Sequence, residues 1–136
     1  MLQSYSTLDA DLPGDAGLLS RYAKLFADTL TARNRQARIF LSATWSRPDL
    51  TYPADRPWSG KAIEQMGLDI DAGYQVAWKS APSITGLIPV GLAFNRAIAA
   101  GVADPNPYDG IGANQVNLWA VDGYHASLFG YYLEAL

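Results

Sequence analysis

The segment Asp122-Gly123-Tyr124-His125 contains the only histidine of the chain, three residues after a carboxylate. An aspartate that contacts Nδ1 of an imidazole fixes its tautomer and stabilises the cation that forms when the other ring nitrogen takes a proton. Asp122 and His125 are therefore a candidate general base with its orienting acid. The alternative is a surface histidine near the start of a helix that the aspartate caps. The spacing alone leaves both open.

A second candidate group follows the first predicted strand, in Thr44-Trp45-Ser46-Arg47-Pro48-Asp49. Trp45 could stack on a sugar or an acyl group, and Arg47 could bind a carboxylate through two parallel hydrogen bonds. In the alternative, Trp45 closes the core and Arg47 pairs with Asp49. We treat Trp45 and Arg47 as candidate substrate-binding residues.

The N-terminal segment Leu2-Gln3-Ser4-Tyr5-Ser6 places a side-chain amide near the end of a possible short strand. Gln3 could donate to an oxyanion. Neither serine lies in a Gly-x-Ser-x-Gly turn that would expose a nucleophile. Both serines are therefore predicted to be ordinary loop hydroxyls.

Composition excludes several classes of protein. A chain of 136 residues forms at most one domain, and its net charge of -3 argues against a nucleic-acid partner. The absence of cysteine excludes disulfides, a thiolate nucleophile and cysteine-ligated metal. The loop 104–110 lacks the carboxylate ladder of a calcium site, so no metal and no cofactor is predicted. No apolar run approaches the roughly 20 residues of a membrane span, and no signal pattern is visible. The composition does not determine the cellular compartment of the protein.

Hydrophobic patterning predicts four helices and two strands. The helices cover 18–33, 61–80, 94–100 and 127–136, the strands cover 37–44 and 86–90, and long loops cover 45–60 and 103–117. In the first helix, Arg21, Lys24 and Asp28 face out, and the apolar residues at helical spacing are Leu18, Leu19, Tyr22, Leu25, Phe26 and Leu30.

The alternation of helices and strands implies a parallel sheet with helices on its faces. Two strands are fewer than the roughly four to six of most sheets. The predicted fold class is α/β, a three-layer α/β/α arrangement that is incomplete at the N-terminus. We expect one domain over residues 1–136.

The chain resembles the C-terminal two-thirds of an SGNH/GDSL-type hydrolase, a family of three-layer α/β/α esterases. Asp122-Gly123-Tyr124-His125-Ala126-Ser127, with Gly130-Tyr131-Tyr132-Leu133 after it, is similar to the family's final Asp-x-x-His block and last helix. Leu2-Gln3-Ser4-Tyr5-Ser6 resembles the block in which Gln or Asn supplies an oxyanion donor. Thr44-Trp45-Ser46-Arg47-Pro48 and Ile88-Pro89-Val90-Gly91 also fit a bacterial branch.

The resemblance implies a flavodoxin-like parallel sheet and roles for three residues. His125 would be the general base, Asp122 its orienting acid and Gln3 an oxyanion donor. In the family, the nucleophilic serine lies in a Gly-Asp-Ser or Gly-Asn-Ser turn after the first strand, and neither tripeptide occurs here. The glycine block that supplies a further oxyanion amide is also absent. Either the chain is N-terminally truncated or it is a degenerate remnant of the family, and in both cases it is expected to be nearly inert alone.

The sequence thus predicts a fragment of a serine esterase or deacetylase that acts on acyl or carbohydrate esters. A non-catalytic carbohydrate-binding module is the alternative, because the chain has four Trp and eight Tyr residues. A third hypothesis is a partner chain that completes the sheet, since missing strands would leave an open edge. Without the front of the chain, the compartment cannot be assigned, although secretion or a periplasmic location fits an upstream start.

Overall fold

The computed structural model describes all residues 1–136. Five helices and two strands follow one another in the order α1 (Gly17–Arg33), β1 (Phe40–Ala43), α2 (Pro48–Thr51), α3 (Ile63–Lys79), β2 (Gly86–Pro89), α4 (Val90–Ala99) and α5 (Leu128–Ala135). The four predicted helices and both predicted strands are confirmed. The helices α1 and α4 begin before the predicted starts, at Gly17 and Val90, and the other four elements are shorter than predicted. The predicted loop 45–60 additionally contains α2, which begins at Pro48, where the fixed φ of proline suits the first helical position.

The two strands pair in parallel, from Phe40 opposite Gly86 to Ala43 opposite Pro89. The helices α2 and α3 provide the long crossover that parallel pairing needs. On the opposite edge of β1, Leu2 forms a single parallel bridge with Leu41. Its backbone N–H donates to Phe40 O at 2.8 Å and its carbonyl accepts from Ser42 N at 2.8 Å.

The prediction of a three-layer, flavodoxin-like α/β/α fold is wrong. The structure has five helices and a sheet of only two four-residue strands. Only the parallel direction of the predicted sheet is right. Residues 103–126 are interrupted by Pro and Gly and form isolated bridges, Ala103 with Val116 and Trp119 with Ala126, instead of further strands.

Two compact units divide the chain. Unit 1 comprises Met1–Thr44 and Asp69–Pro89, and unit 2 comprises Trp45–Leu68 and Val90–Leu136. In unit 1, the buried face of α1 is narrow and consists of Leu19, Ala23 and Ala27. Of the six apolar residues whose spacing predicts this helix, only Leu19 is buried, and the other five are exposed. The face that α1 buries therefore differs from the one that its large apolar residues indicate.

Unit 2 has an aromatic core. Phe94 of α4 stacks on Trp45 at 5.4 Å between ring centroids and meets Trp119 edge to face at 6.0 Å. The close approach of α5 depends on Gly130, because a Cβ there would meet Leu118 O and the Phe94 ring. The buried cluster comprises Trp45, Ile63, Val90, Phe94, Ile98, Ala103, Leu118, Trp119 and Ala126. No helix of the structure is both long enough and apolar enough to cross a membrane.

Candidate active site

Asp122 and His125 are in direct contact. Asp122 Oδ2 lies 2.7 Å from His125 Nδ1, the geometry that the three-residue spacing allows. The second carboxylate oxygen, Oδ1, accepts the backbone N–H groups of Tyr124 and His125, each at 2.9 Å. One oxygen therefore holds the ring, and the other holds the backbone of the turn that carries it.

The pair is open to solvent. The His125 side chain is 58% exposed and that of Asp122 is 46% exposed. The hydrogen bond from His125, together with those from the Tyr124 and His125 amides, lowers the pKa of Asp122 to about 2. Asp122 is therefore ionised at neutral pH and accepts hydrogen bonds only. Its partner nitrogen Nδ1 carries the proton, which leaves Nε2 of the neutral ring as the basic atom.

A short turn positions the pair. Trp119 and Ala126 form an antiparallel bridge, and Ala120 N donates to His125 O at 2.8 Å. Asp122 lies at the tip of this turn, where Gly123 has a φ of 65°. Glycine suits this left-handed backbone conformation, which other residues adopt at a cost. The side chain of Tyr108 also approaches Gly123 so closely that a Cβ would collide with its hydroxyl.

The turn leads directly into α5, which Ser127 caps. Ser127 Oγ accepts the backbone N–H groups of Phe129 at 3.1 Å and Gly130 at 3.3 Å, and donates to Asn117 O at 2.6 Å. The cap satisfies two of the amides that the first helical turn leaves unpaired. His125 is thus held between a closed turn and a capped helix.

Trp45 lies in the core of unit 2. Only 9% of it is exposed, and its ring stacks on Phe94. Its Nε1 donates to the backbone carbonyl of Tyr124 at 3.1 Å. This arrangement matches the alternative in which Trp45 closes the core, and it also connects Trp45 to the turn that carries His125. Sugar or acyl binding by Trp45 stays a prediction.

Arg47 forms the paired arrangement that was the alternative to substrate binding. Its Nε and Nη2 atoms donate to the two carboxylate oxygens of Asp49 at 3.0 and 2.6 Å. The guanidinium also lies over the Tyr124 ring, 3.9 Å from the ring centroid. The side chain is only 10% exposed. Substrate binding by Arg47 likewise stays a prediction.

Tyr124 lies between Arg47 and His125 and contacts both, although the sequence analysis did not select it as a site residue. The ring of Tyr124 lies 4.4 Å from that of His125, with a 41° angle between the planes. Its position inside the Asp-x-x-His motif is the only sequence signal for this role. The contact with Arg47 spans 77 residues of chain and could not be read from local spacing.

Tyr108 is a second residue that sequence reasoning missed. It is exposed, and its ring meets Tyr52 edge to face at 6.1 Å. Burial of its hydroxyl, followed by the nearby charges of Asp49 and Asp122, raises the pKa of Tyr108. The hydroxyl of Tyr108 lies against Gly123, the residue that follows Asp122 in the turn.

Gln3, the predicted oxyanion donor, belongs to unit 1. It is exposed and borders an apolar cavity of about 370 Å³ between residues 2–10 and α1. The other four predicted site residues, Trp45, Arg47, Asp122 and His125, belong to unit 2 and form the contacts described above. Oxyanion binding by Gln3 stays a prediction. No cluster of three or more His, Asp or Glu side chains in residues 1–136 could hold a metal ion.

Comparisons with protein-family models, with curated proteins and with solved structures give no match to this chain. An ionised carboxylate on Nδ1, an exposed imidazole and a buried scaffold beneath them are suited to proton transfer at Nε2.

Proposed function

We propose that Asp122 and His125 are the acid–base pair of a serine-type ester hydrolase, with an Asp-x-x-His block that resembles the one in SGNH/GDSL esterases. Because neither Gly-Asp-Ser nor Gly-Asn-Ser occurs in residues 1–136, the proposal includes a hydroxyl nucleophile that these residues do not supply. The substrate is an acyl or carbohydrate ester. His125 Nε2 takes the proton of the attacking hydroxyl and later gives it to the leaving alkoxide, while Asp122 stabilises the imidazolium.

The observation that carries this proposal is the contact of 2.7 Å between Asp122 Oδ2 and His125 Nδ1. A helix-capping aspartate, the structural alternative, would accept amides of the first turn of α5. Ser127 fills that position instead. Asp122 accepts only amides of its own turn and the imidazole. The carboxylate is therefore placed to act on the ring and not on the helix.

The test is an ester-hydrolysis assay of the protein encoded by the longest continuous reading frame that contains this chain. A short-chain nitrophenyl ester is the substrate probe. We expect a Gly-Asp-Ser or Gly-Asn-Ser turn upstream. His125→Ala should lower kcat by about 10⁶-fold. Asp122→Asn should lower it by about 10⁴-fold, because the amide favours the wrong imidazole tautomer.

Asp55→Asn is the matched control. Asp55 is an exposed aspartate of unit 2 with a φ of 59°, a conformation that asparagine also tolerates. This variant should keep the full rate. The proposal is overturned by a reading frame without such a serine turn, or by a His125→Ala variant as active as the wild type. Saccharide binding that persists in His125→Ala, with no hydrolysis by any variant, would favour the carbohydrate-binding alternative.

A further inference from the structure

We infer that Tyr124 and Arg47 are positioning residues that fix the plane of the His125 ring. This inference rests on the proposed acid–base role of His125. The buried Arg47, paired with the half-buried Asp49, would support Tyr124, and Tyr124 in turn would support the imidazole. Neither Tyr124 nor Arg47 then has to touch the substrate.

A continuous series of contacts connects the buried Arg47 to the imidazole of His125 through the ring of Tyr124. Arg47 is fixed by two hydrogen bonds to Asp49, and its guanidinium lies 3.9 Å from the centroid of the Tyr124 ring. The Tyr124 ring lies 4.4 Å from that of His125. Guanidinium groups favour aromatic faces because the π-system is negative there, and the planar group also packs flat on the ring.

Tyr124 is also held by its backbone. Its N–H donates to Asp122 Oδ1 at 2.9 Å, and its carbonyl accepts from Trp45 Nε1 at 3.1 Å. With the Arg47 contact on its ring, Tyr124 is restrained at three points. A residue restrained in this way has few conformations of its own, so its ring offers a fixed surface to the neighbouring imidazole.

The imidazole needs such a surface because its one side-chain hydrogen bond restrains a single atom. The bond from Nδ1 to Asp122 leaves the ring free to tilt about that contact. A second contact on the ring itself removes this freedom and fixes the direction in which Nε2 points. Misplacement of a catalytic group by about 1 Å can lower a rate by about 10²-fold.

The positive charge of Arg47 is compatible with its position near the imidazole of His125. An unpaired guanidinium near the pair would oppose the imidazolium that forms during proton transfer. Both donor atoms of the Arg47 fork that face Asp49 are paired with a carboxylate, which offsets the positive charge. Arg47 can therefore supply a flat, rigid support with little electrostatic cost to His125.

The test combines NMR spectroscopy of this chain with kinetics of the protein that the longest reading frame encodes. The variants are Tyr124→Leu, Tyr124→Phe and Arg47→Lys, with Arg56→Lys as an exposed control in unit 2. The readouts are the imidazole ¹H and ¹⁵N shifts of His125, the exchange rate of its Nδ1 proton, and kcat and KM for the nitrophenyl ester. Because His125 is the only histidine, its signals need no further assignment.

We expect Tyr124→Leu to shift the imidazole signals, to speed Nδ1 proton exchange at least tenfold and to lower kcat by about 10²-fold at constant KM. Tyr124→Phe keeps the ring and should behave like the wild type. Arg47→Lys should show part of the Tyr124→Leu effect, since lysine has neither the fork nor the flat face. The rest of the amide spectrum should stay native in each variant.

The inference is overturned if Tyr124→Leu keeps wild-type imidazole signals and wild-type kcat in a natively folded chain. A loss of catalysis in Tyr124→Phe would also overturn it, because the hydroxyl would then take part in the chemistry. Failure of the proposed function has a different signature. In that case His125→Ala keeps the full rate, whatever Tyr124→Leu does to the imidazole spectrum.

Discussion

The two oxygens of the Asp122 carboxylate have different partners. Oδ2 contacts the imidazole, and Oδ1 accepts two backbone amides of the same turn. The spacing of Asp122 and His125 allowed this side-chain contact and left the helix-capping aspartate as the alternative. It could not indicate Tyr124 or Arg47 as neighbours, because their contact depends on two loops far apart in the sequence.

The acid titration of Asp122 tests the strength of these hydrogen bonds. The pKa of Asp122 is lowered from the ordinary 3.8 to about 2, first of all by the hydrogen bond from His125. Because the pKa of Asp122 is lower in the folded chain than in the unfolded chain, its ionised form stabilises the fold at pH values above the unfolded pKa. The contribution of Asp122 is therefore complete above pH 3.8 and is lost as the pH falls through about 2. The carboxyl ¹³C shift of Asp122 should report this midpoint directly.

His125→Ala is the informative variant for this titration. It removes the largest cause of the shift and leaves the two amide hydrogen bonds in place. The midpoint should therefore move up towards 3.8 without reaching it. A midpoint that stays near 2 in His125→Ala would mean that the imidazole contributes nothing to the ionisation of Asp122.

At the scale of elements, the turn of residues 118–127 and helix α5 present His125 to solvent. Hydrophobic periodicity predicted α1, α3, α4 and α5, because each places apolar residues at helical spacing. The site turn could not be predicted in this way, since its shape comes from backbone hydrogen bonds and from the left-handed Gly123. The four-residue helix α2 was missed because it is too short for a periodic pattern.

Removal of the α5 cap should destabilise the chain. In Ser127→Ala, the amides of Phe129 and Gly130 lose their acceptor. We expect a loss of about 1 kcal/mol in the free energy of unfolding, measured by urea denaturation. Ser127→Thr keeps the hydroxyl and should lie close to the wild type. Equal stability of Ser127→Ala and the wild type would show that the cap contributes nothing.

At the scale of the whole molecule, the order of elements was predictable, but the architecture was not. Alternating helices and strands correctly indicated parallel pairing of β1 and β2. A three-layer sheet did not follow, because the remaining apolar segments form helices, turns or single bridges. Local patterns fix the type of an element, whereas the number of strands in a sheet depends on long-range pairing.

The exposure of large apolar residues on α1 is a further property of the molecule that periodicity did not indicate. Leu18, Tyr22, Leu25, Phe26 and Leu30 are all exposed in unit 1. A strand-completing partner chain was predicted because strands were expected to be missing from the sheet, and beside β1 the structure has only the single bridge of Leu2 with Leu41. Such a partner stays a prediction, as does the absence of nucleic-acid binding that the net charge of -3 indicates.

The tautomer of the His125 ring is the sharpest check on its proposed role as a base. In ¹H–¹⁵N spectra of the neutral imidazole, Asp122 should hold the proton on Nδ1 and leave Nε2 unprotonated. Asp122→Asn should move the proton to Nε2, because the new amide N–H donates to Nδ1, whereas Asp55→Asn should change nothing. A wild-type ring that carries its proton on Nε2 would contradict the account, since the exposed nitrogen would then have no lone pair with which to act as a base.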